Sequence, residues 1–243
     1  MNYHDLNYLD FSKNSEQLIF DIKNIIRNGS GICIIKNLPI SEDNIALIEL
    51  SEKLGEPISE KRNIDDKTVY RVEINKDLEV PTYANTEYEF WCHTDCAEYN
   101  EPPDTILLLC ENPSETGGES FVIHIDEIKA QLSNLEIFNL GTKAYPFRNY
   151  YYPIITLESE DKLNIRYNRT MIDFTLQLTD IKLEEKYIHL MDKLDQIIND
   201  SKYVFKLNKG ECLITSNKTI LHGRAAFPPT EKRLMKRIRL YLN

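Results

Sequence analysis

The 243-residue chain has no long apolar run. Nothing approaches the roughly 18 consecutive apolar residues of a membrane-spanning helix, so no membrane partner is expected. Positive charge is in deficit: Lys plus Arg number 29 against 39 Asp plus Glu, a formal net charge of −10. An acidic chain is a poor match for a phosphate backbone, which argues against nucleic acid as a partner. Cysteine is sparse. Cys33, Cys92, Cys96, Cys110 and Cys212 are odd in number and irregular in spacing, and the C-x3-C of Cys92 and Cys96 has no second thiol pair to complete a zinc site. Reduced thiols in an intracellular, cytoplasmic protein are expected rather than a disulfide framework. The N-terminal stretch 1–14 lacks the basic-then-apolar order of a secretory signal. Repeats, low-complexity tracts and linkers are also missing, which leaves a single domain over 1–243 as the expectation. No feature specifies an oligomeric state.

What is present is a globular composition, 42% hydrophobic and 28% charged. Ser15 can cap a helix whose face is Leu18, Ile19, Ile22, Ile25 and Ile26, with Gly29 stopping it. Ser41 can cap a second, with Ile45, Ile48 and Leu50 apolar and Gly55 at its end. Strands are expected at 31–36, 68–74, 105–110 and 120–125, the last two flanking a Gly117-Gly118 turn, with Asp126 capping a short helix. The tyrosine-rich 149–155 and the segment 163–167 read as a further strand pair. Residues 182–200 form one amphipathic helix, with Tyr187, Leu190, Met191, Leu194, Ile197 and Ile198 inward and His189 in solvent. Strands return at 203–205, 212–215, 219–221 and 238–242. The pattern is mainly β with helical decoration, a sandwich or jelly roll: N-terminal helices over about 15–55, a core over about 68–243, and a lid or helical insert over about 140–200.

There are five histidines: His4, His93, His124, His189 and His222. Two open H-x-D tripeptides, His93-Thr94-Asp95 and His124-Ile125-Asp126. In a strand, residues i and i+2 share a side, so H-x-D can offer an imidazole and a carboxylate to one ion. A remote histidine would complete the 2-His-1-carboxylate triad suited to Fe(II) and oxygen chemistry. His124 sits in an apolar strand and Asp126 precedes a helix, so that pair reads as core residue and cap. His93 and Asp95 stand at a strand end before a polar, proline-bearing stretch, where an open site can form. From the residues alone, this pair is either a metal pair or a chance tripeptide.

The surrounding residues carry more. Residues 91–120 read WCHTDCAEYNEPPDTILLLCENPSETGGES, and 209–239 read KGECLITSNKTILHGRAAFPPTEKRLMKRIR. These blocks resemble the taurine dioxygenase and clavaminate synthase-like superfamily of Fe(II)/2-oxoglutarate oxygenases. There a W-x-H-x-D/E is followed by a PP pair, an apolar strand, a proline and G-G-[DE]-[ST]. The second block carries a distal H-G-R and a paired-arginine strand. The resemblance covers about 60 residues, in order and spacing; the N-terminal helices match only generically.

It implies a double-stranded β-helix (jelly-roll) core, with Fe(II), 2-oxoglutarate and O2 as cofactor and cosubstrates. It implies iron ligation by His93, Asp95 and His222. Arg233, 11 residues after His222, would grip the far carboxylate of 2-oxoglutarate with Ser120 beside it, and a planar guanidinium suits that bidentate task. The carboxylate ligand is present, which argues for oxygen transfer and against halogenation. The sequence departs from the family at Ser216-Asn217, in place of the usual D-N turn. Glu89 stands where an asparagine is common, and Cys96 and Glu98 stand where an apolar contact is usual.

The implied reaction is hydroxylation of an unactivated C–H of a small molecule, most simply a free amino acid or amine-bearing metabolite. Glu89 and Glu98 could meet an ammonium or guanidinium; Arg237, Arg169 or Arg71 could meet a carboxylate. Each reads equally well as an ordinary solvated charge. A sulfonate or other small acid, or a non-catalytic metal-binding sensor, are the alternatives. Residues 149–152 and Asn168-Arg169 would belong to the insert closing over the pocket. Residues 217–243 hold seven basic residues against one acid, Glu231, which fits the side of a pocket that receives a dianion.

Overall fold

The computed structural model describes residues 6–12, 15–59, 68–78, 82–159 and 162–243; His4 lies outside them. In chain order the elements are β1 (Asn7–Asp10), α1 (Ser15–Asn28), β2 (Ile32–Lys36), α2 (Ile45–Leu54), β3 (Gly55–Pro57) and β4 (Tyr70–Val72). A 3₁₀ turn (Tyr83–Asn85) precedes β5 (Phe90–His93), β6 (Thr105–Asn112) and β7 (Ser120–His124). Then come α3 (Ile125–Lys129), α4 (Asn134–Leu140), β8 (Tyr145–Phe147), β9 (Tyr150–Tyr152), β10 (Ile155–Leu157), β11 (Leu163–Ile165), α5 (Arg169–Leu178) and α6 (Glu185–Ser201). The chain closes with β12 (Tyr203–Phe205), β13 (Cys212–Ser216), β14 (Ile220–Arg224) and β15 (Leu234–Leu242).

Two sheets make the core. The larger runs β1-β2-β13-β6-β15-β3, with β4 also on β15; the smaller runs β12-β7-β14-β5. Among the described residues, only β1 and β2 pair in parallel. Period two sorts each central strand into two faces. On the large sheet, Cys33, Ile35, Leu107, Leu109, Cys212, Ile214, Ile238 and Leu240 pack outward on Leu18, Ile22 and Ile26 of α1 and Leu47, Leu50 and Leu54 of α2. Ile32, Ile34, Leu213 and Met235 pack inward on Val122 and Ile220 of the small sheet. The small sheet's other face, Phe121, Ile123 and Leu221, is covered by α6 and the segments between. Burial on both faces is why β6 reads TILLLC with no polar alternation. Fully buried Ile22 anchors α1; its truncation to alanine should cost about 2–5 kcal/mol.

The expected mainly-β class with helical decoration is observed, and the six residues assigned to the inner face of α6 are all buried, with His189 exposed. Several local expectations are corrected. Helix α2 starts at Ile45 behind a left-handed Asn44, and the Ser41 hydroxyl is bonded to Asp43 instead of capping. Helix α3 is capped by His124, whose Nδ1 accepts the Asp126 N–H at 3.1 Å, so Asp126 is not the cap. The tyrosine strand β9 pairs with β8, and β10 pairs with β11. The tyrosine strand ends at Tyr152 because Pro153 has no N–H to give a ladder, and Ile154 turns away, its N–H donating to the Leu140 carbonyl at 2.8 Å. All five cysteines are free thiols. Among the described residues, no helix is long and apolar enough to cross a membrane.

Candidate active site

Strands β5 and β14 are antiparallel neighbours, and His93 and His222 face each other directly across them. Their rings lie 4.6 Å apart. The ladder shifts register between His222 and Arg224, and Gly223 fills the shift: a Cβ there would lie 2.6 Å from the Phe90 carbonyl oxygen. This explains the glycine of H-G-R. Asp95 enters from the turn that follows β5. Its Oδ1 is 3.3 Å from His93 Nε2 and 3.8 Å from His222 Nε2. One ligand atom from each of the three residues falls within 4.8 Å of the others.

The protonation pattern suits a cation. His93 Nδ1 lies 2.8 Å from the Trp91 carbonyl, which can only accept, so Nδ1 carries the proton and Nε2 presents its lone pair. His93 Nε2 is buried without a hydrogen-bond partner, facing a carboxylate oxygen that is also an acceptor. Two acceptors held 3.3 Å apart in a buried site are mismatched until a cation sits between them. Burial, then the neighbouring His93, pushes His222 down to about 3, which leaves its imidazole neutral. Burial alone would raise the Asp95 carboxyl, but Arg237 and Arg239 outweigh it and hold the group well below the usual carboxylate range. Two imidazoles and a carboxylate are a donor set that fits a 2-His-1-carboxylate iron site. Phe90 braces the set by stacking on His93 with centroids 3.9 Å apart.

A cavity runs inward from the histidines between the sheets. Ser120, Arg233 and Arg237 line it with apolar side chains such as Val72, Ile106 and Leu213. Arg233 immediately precedes β15 and is only 5% exposed. No carboxylate among the described residues pairs with it; its guanidinium lies over the Phe227 ring, 5.7 Å from the centroid. Burial lowers its guanidinium to about 10, the signature of a cation lacking its anion. Gly117 and Gly118 adopt φ of 68° and 70°, as the expected turn requires, and a Cβ on Gly118 would press on Arg233 Cδ at 3.0 Å.

The remaining expected contacts divide. Arg237 reaches the site, with Nη1 3.3 Å from Asp95 Oδ2. Glu98 is largely buried but lines a separate open depression with Tyr99, Arg148 and Tyr150; its Oε2 has no hydrogen-bond partner among the described residues, and Arg148 lies 3.8 Å away. Glu89 lies on the outer rim beside Trp91 and Tyr83, 3.6 Å from Lys202. Arg71 is not brought to the cavity. It alternates with inward Tyr70 and Val72, so it points to solvent and pairs with Glu73 at 2.7 Å. Arg169 is not available either: Asp173, Asp192 and Asp195 hold it within 2.7–2.9 Å.

Other contributors went unread. Asn217 is the larger one. Its Oδ1 accepts the Asp95 N–H at 2.8 Å, and its Nδ2 donates to the carbonyls of Asp95 and Pro103. Arg224 pins the 3₁₀ segment by donating to the Tyr83 and Thr86 carbonyls at 2.9 Å. Arg166 donates to the carbonyls of Ala97, Tyr99 and Asn100, closing the loop beyond Asp95. Arg239 donates to Asp95 Oδ2 at 2.7 Å; only this last had a sequence signal, since it continues the period-two series of Arg233 and Arg237.

The model of the family described as taurine catabolism dioxygenase TauD, TfdA family matches residues 3–239. The chain belongs to the TauD/TfdA family. Among curated relatives of this TauD/TfdA chain is the γ-butyrobetaine dioxygenase of Homo sapiens, 22% identical over 171 residues; the match covers 64% of this chain and 44% of the relative. That of Pongo abelii matches equally. The chain spans less than half the length of these relatives. Among solved structures, asparagine oxygenase superposes with a TM-score of 0.80 at 16% identity, covering 93% of this chain and 79% of the other. The non-heme iron oxygenase OrfP, in complex with Fe and α-ketoglutaric acid, superposes with a TM-score of 0.72 at 16% identity, covering 94% and 79%. This likeness establishes the expected jelly-roll fold.

Proposed function

We propose that this TauD/TfdA-family protein is a non-haem Fe(II)/2-oxoglutarate-dependent dioxygenase that hydroxylates an unactivated C–H bond of a free amino acid or similar amine-bearing molecule. One observation carries the reading. A trio of lone-pair donors, two of them buried, stands at one end of a cavity, and a buried guanidinium with no carboxylate partner among the described residues stands on the same cavity wall. His93, Asp95 and His222 would hold the iron; Arg233 and Ser120 would hold the far carboxylate of 2-oxoglutarate. Iron with that cosubstrate supplies activation of O2 and oxidation of C–H to C–OH, with release of succinate and CO2. The chain's own part is placement and exclusion of water. The apolar walls keep the pocket dry, and Arg233 replaces lost hydration of the dianion with one fixed, bidentate partner.

For the substrate, Arg237 at the metal end is the acid-binding group. Glu98, largely buried and lacking a hydrogen-bond partner on Oε2, is the better of the two acidic candidates for the amine; Glu89 is on the rim and paired. The molecules bound in related structures, 3-hydroxyasparagine and (3S)-hydroxy-L-Arg, are amino acids and support the same class.

Anaerobic addition of Fe(II) and 2-oxoglutarate should produce a weak visible charge-transfer band, absent in His222→Ala. A panel of L-amino acids, with taurine and an aryloxy acid beside them, should then raise succinate formation above the uncoupled background. No band from the wild-type protein would overturn the reading. A band without stimulation by any panel member would favour metal-dependent binding without turnover, and stimulation by taurine alone would move the substrate to the sulfonates.

A further inference from the structure

Arg233, Met235, Arg237 and Arg239 alternate along β15 and its first flanking residue, so all four face between the sheets. Three are arginines, and their surroundings differ. Arg233 has no acidic partner among the described residues. Arg237 lines the cavity. Arg239 lies beyond the cavity lining, with its side chain 15% exposed and its Nε donating to Asp95 Oδ2 at 2.7 Å. The backbone beneath it is fixed on both sides: Arg239 stands opposite Ile106 in the ladder with β6, and its carbonyl accepts the Ile58 N–H at 2.8 Å.

We propose that Arg239 is the positioning residue of the Asp95 carboxylate, holding its outer oxygen so that the inner oxygen faces the two histidines. The inference rests on the reading of His93, Asp95 and His222 as a metal centre. The two carboxylate oxygens are already divided in this way. Oδ1 points at both imidazole Nε2 atoms, and Oδ2 takes the two arginines. Asp95 sits on a turn, where Asn217 fixes its backbone but not its side-chain torsion. A carboxylate with a free outer oxygen can rotate or bind through both oxygens; one anchored by a fixed guanidinium cannot. Orientation of a ligand by its outer partner is a general feature of metal sites.

The arrangement also separates the duties of the two arginines. Arg237 can turn to an anion arriving in the cavity, because the shorter Arg239 contact remains on Asp95. Charge alone argues the other way. A guanidinium beside a divalent ion repels it, so on electrostatics its removal should tighten metal binding. The sign of the effect therefore decides between positioning and mere charge.

The test is anaerobic titration of the full-length protein with Fe(II), and separately with Co(II), read by absorbance. Arg239→Met should weaken binding by about 10- to 100-fold, the range seen for such outer partners. It should also change the d–d spectrum of bound Co(II), which a purely structural role would leave alone. Arg239→Lys should recover part of the affinity. Arg239→Met binding as tightly as wild type, or more tightly, with an unchanged Co(II) spectrum overturns the proposal. If Arg239→Met does not fold by circular dichroism, the Lys and Gln variants carry the same titration. Failure of the underlying reading is distinct: then wild type binds neither ion, or His222→Ala binds as well as wild type.

Discussion

His93, His222 and Arg233 line the cavity from paired strands or the residue just before one, whereas Asp95, at the histidines, and Glu98, in a separate open depression with Arg148 and Tyr150, stand on the turn after β5. The strand-borne groups are set by ladder register. His222 faces His93 because the backbones of β5 and β14 pair, and β14 is held on its other side by β7. The turn has no ladder. Its geometry is imposed from outside, by Asn217 on the Asp95 backbone, by Arg166 on the carbonyls of Ala97, Tyr99 and Asn100, and by Tyr167, whose backbone exchanges hydrogen bonds with Thr94. A strand position tolerates changes in distant residues; the turn depends on partners more than 60 residues away in sequence.

Removing a strand-borne group should give the largest losses and should leave the fold intact. His222→Ala is expected to abolish the charge-transfer band and to reduce succinate formation by more than the roughly 100-fold upper range of outer-partner substitutions. Arg233→Gln should raise the KM for 2-oxoglutarate by at least about 30-fold, because a buried charge pair loses one member, with little change in Fe(II) affinity. Retained metal binding with a collapsed cosubstrate affinity would confirm that the two ends act separately. A loss of both in Arg233→Gln would break the distinction.

The strand half was also the legible half. Helix α6 could be read because its apolar period matches 3.6, and β6 and β7 because burial on both faces leaves an unbroken apolar run. The H-x-D and distal H-G-R blocks placed His93, Asp95 and His222, which the fold does bring together. Direction was not legible for lone charges. Arg71 and Arg169 carry the right charge, but one alternates outward and the other is neutralised by acids on its own helix and on α6. Asn217 reads only as a turn residue until Asp95, 122 positions away, is laid against it. Helices α4 and α5 and strand β8 escaped because they are short and gain their stability from packing on one another and on α6 rather than from local pattern.

Asn217→Ala tests the turn directly. Three hydrogen bonds are lost, leaving the N–H and carbonyl of Asp95 and the carbonyl of Pro103 without this partner in a buried place. The expected cost is about 2–3 kcal/mol in denaturant unfolding, the range for stranded buried polar groups. If the displaced group holds iron as proposed, Fe(II) affinity should fall along with stability. In Arg233→Gln, by contrast, the ladder holds and metal affinity should not follow. A variant of Asn217 that loses stability but binds Fe(II) as wild type would show that Asp95 is positioned by its side-chain arginines alone.

Glu98→Gln should have the smallest effect of the series and the most selective. The substitution keeps volume and removes charge. In the resting protein Glu98 Oε2 is buried with no hydrogen-bond partner, and Arg148 at 3.8 Å is mostly exposed, so the carboxylate gains little from its surroundings. Unfolding free energy should therefore stay the same or rise slightly. If Glu98 receives the substrate's ammonium or guanidinium, one charge-assisted hydrogen bond is weakened, worth about 1.5 kcal/mol, and KM for the cationic substrate should rise about tenfold. The KM for 2-oxoglutarate and the charge-transfer band should not move. Opposite directions for stability and substrate affinity are what a group kept for binding produces. If both fall together, Glu98 is a structural member of the turn, and recognition of the amine lies elsewhere on the rim.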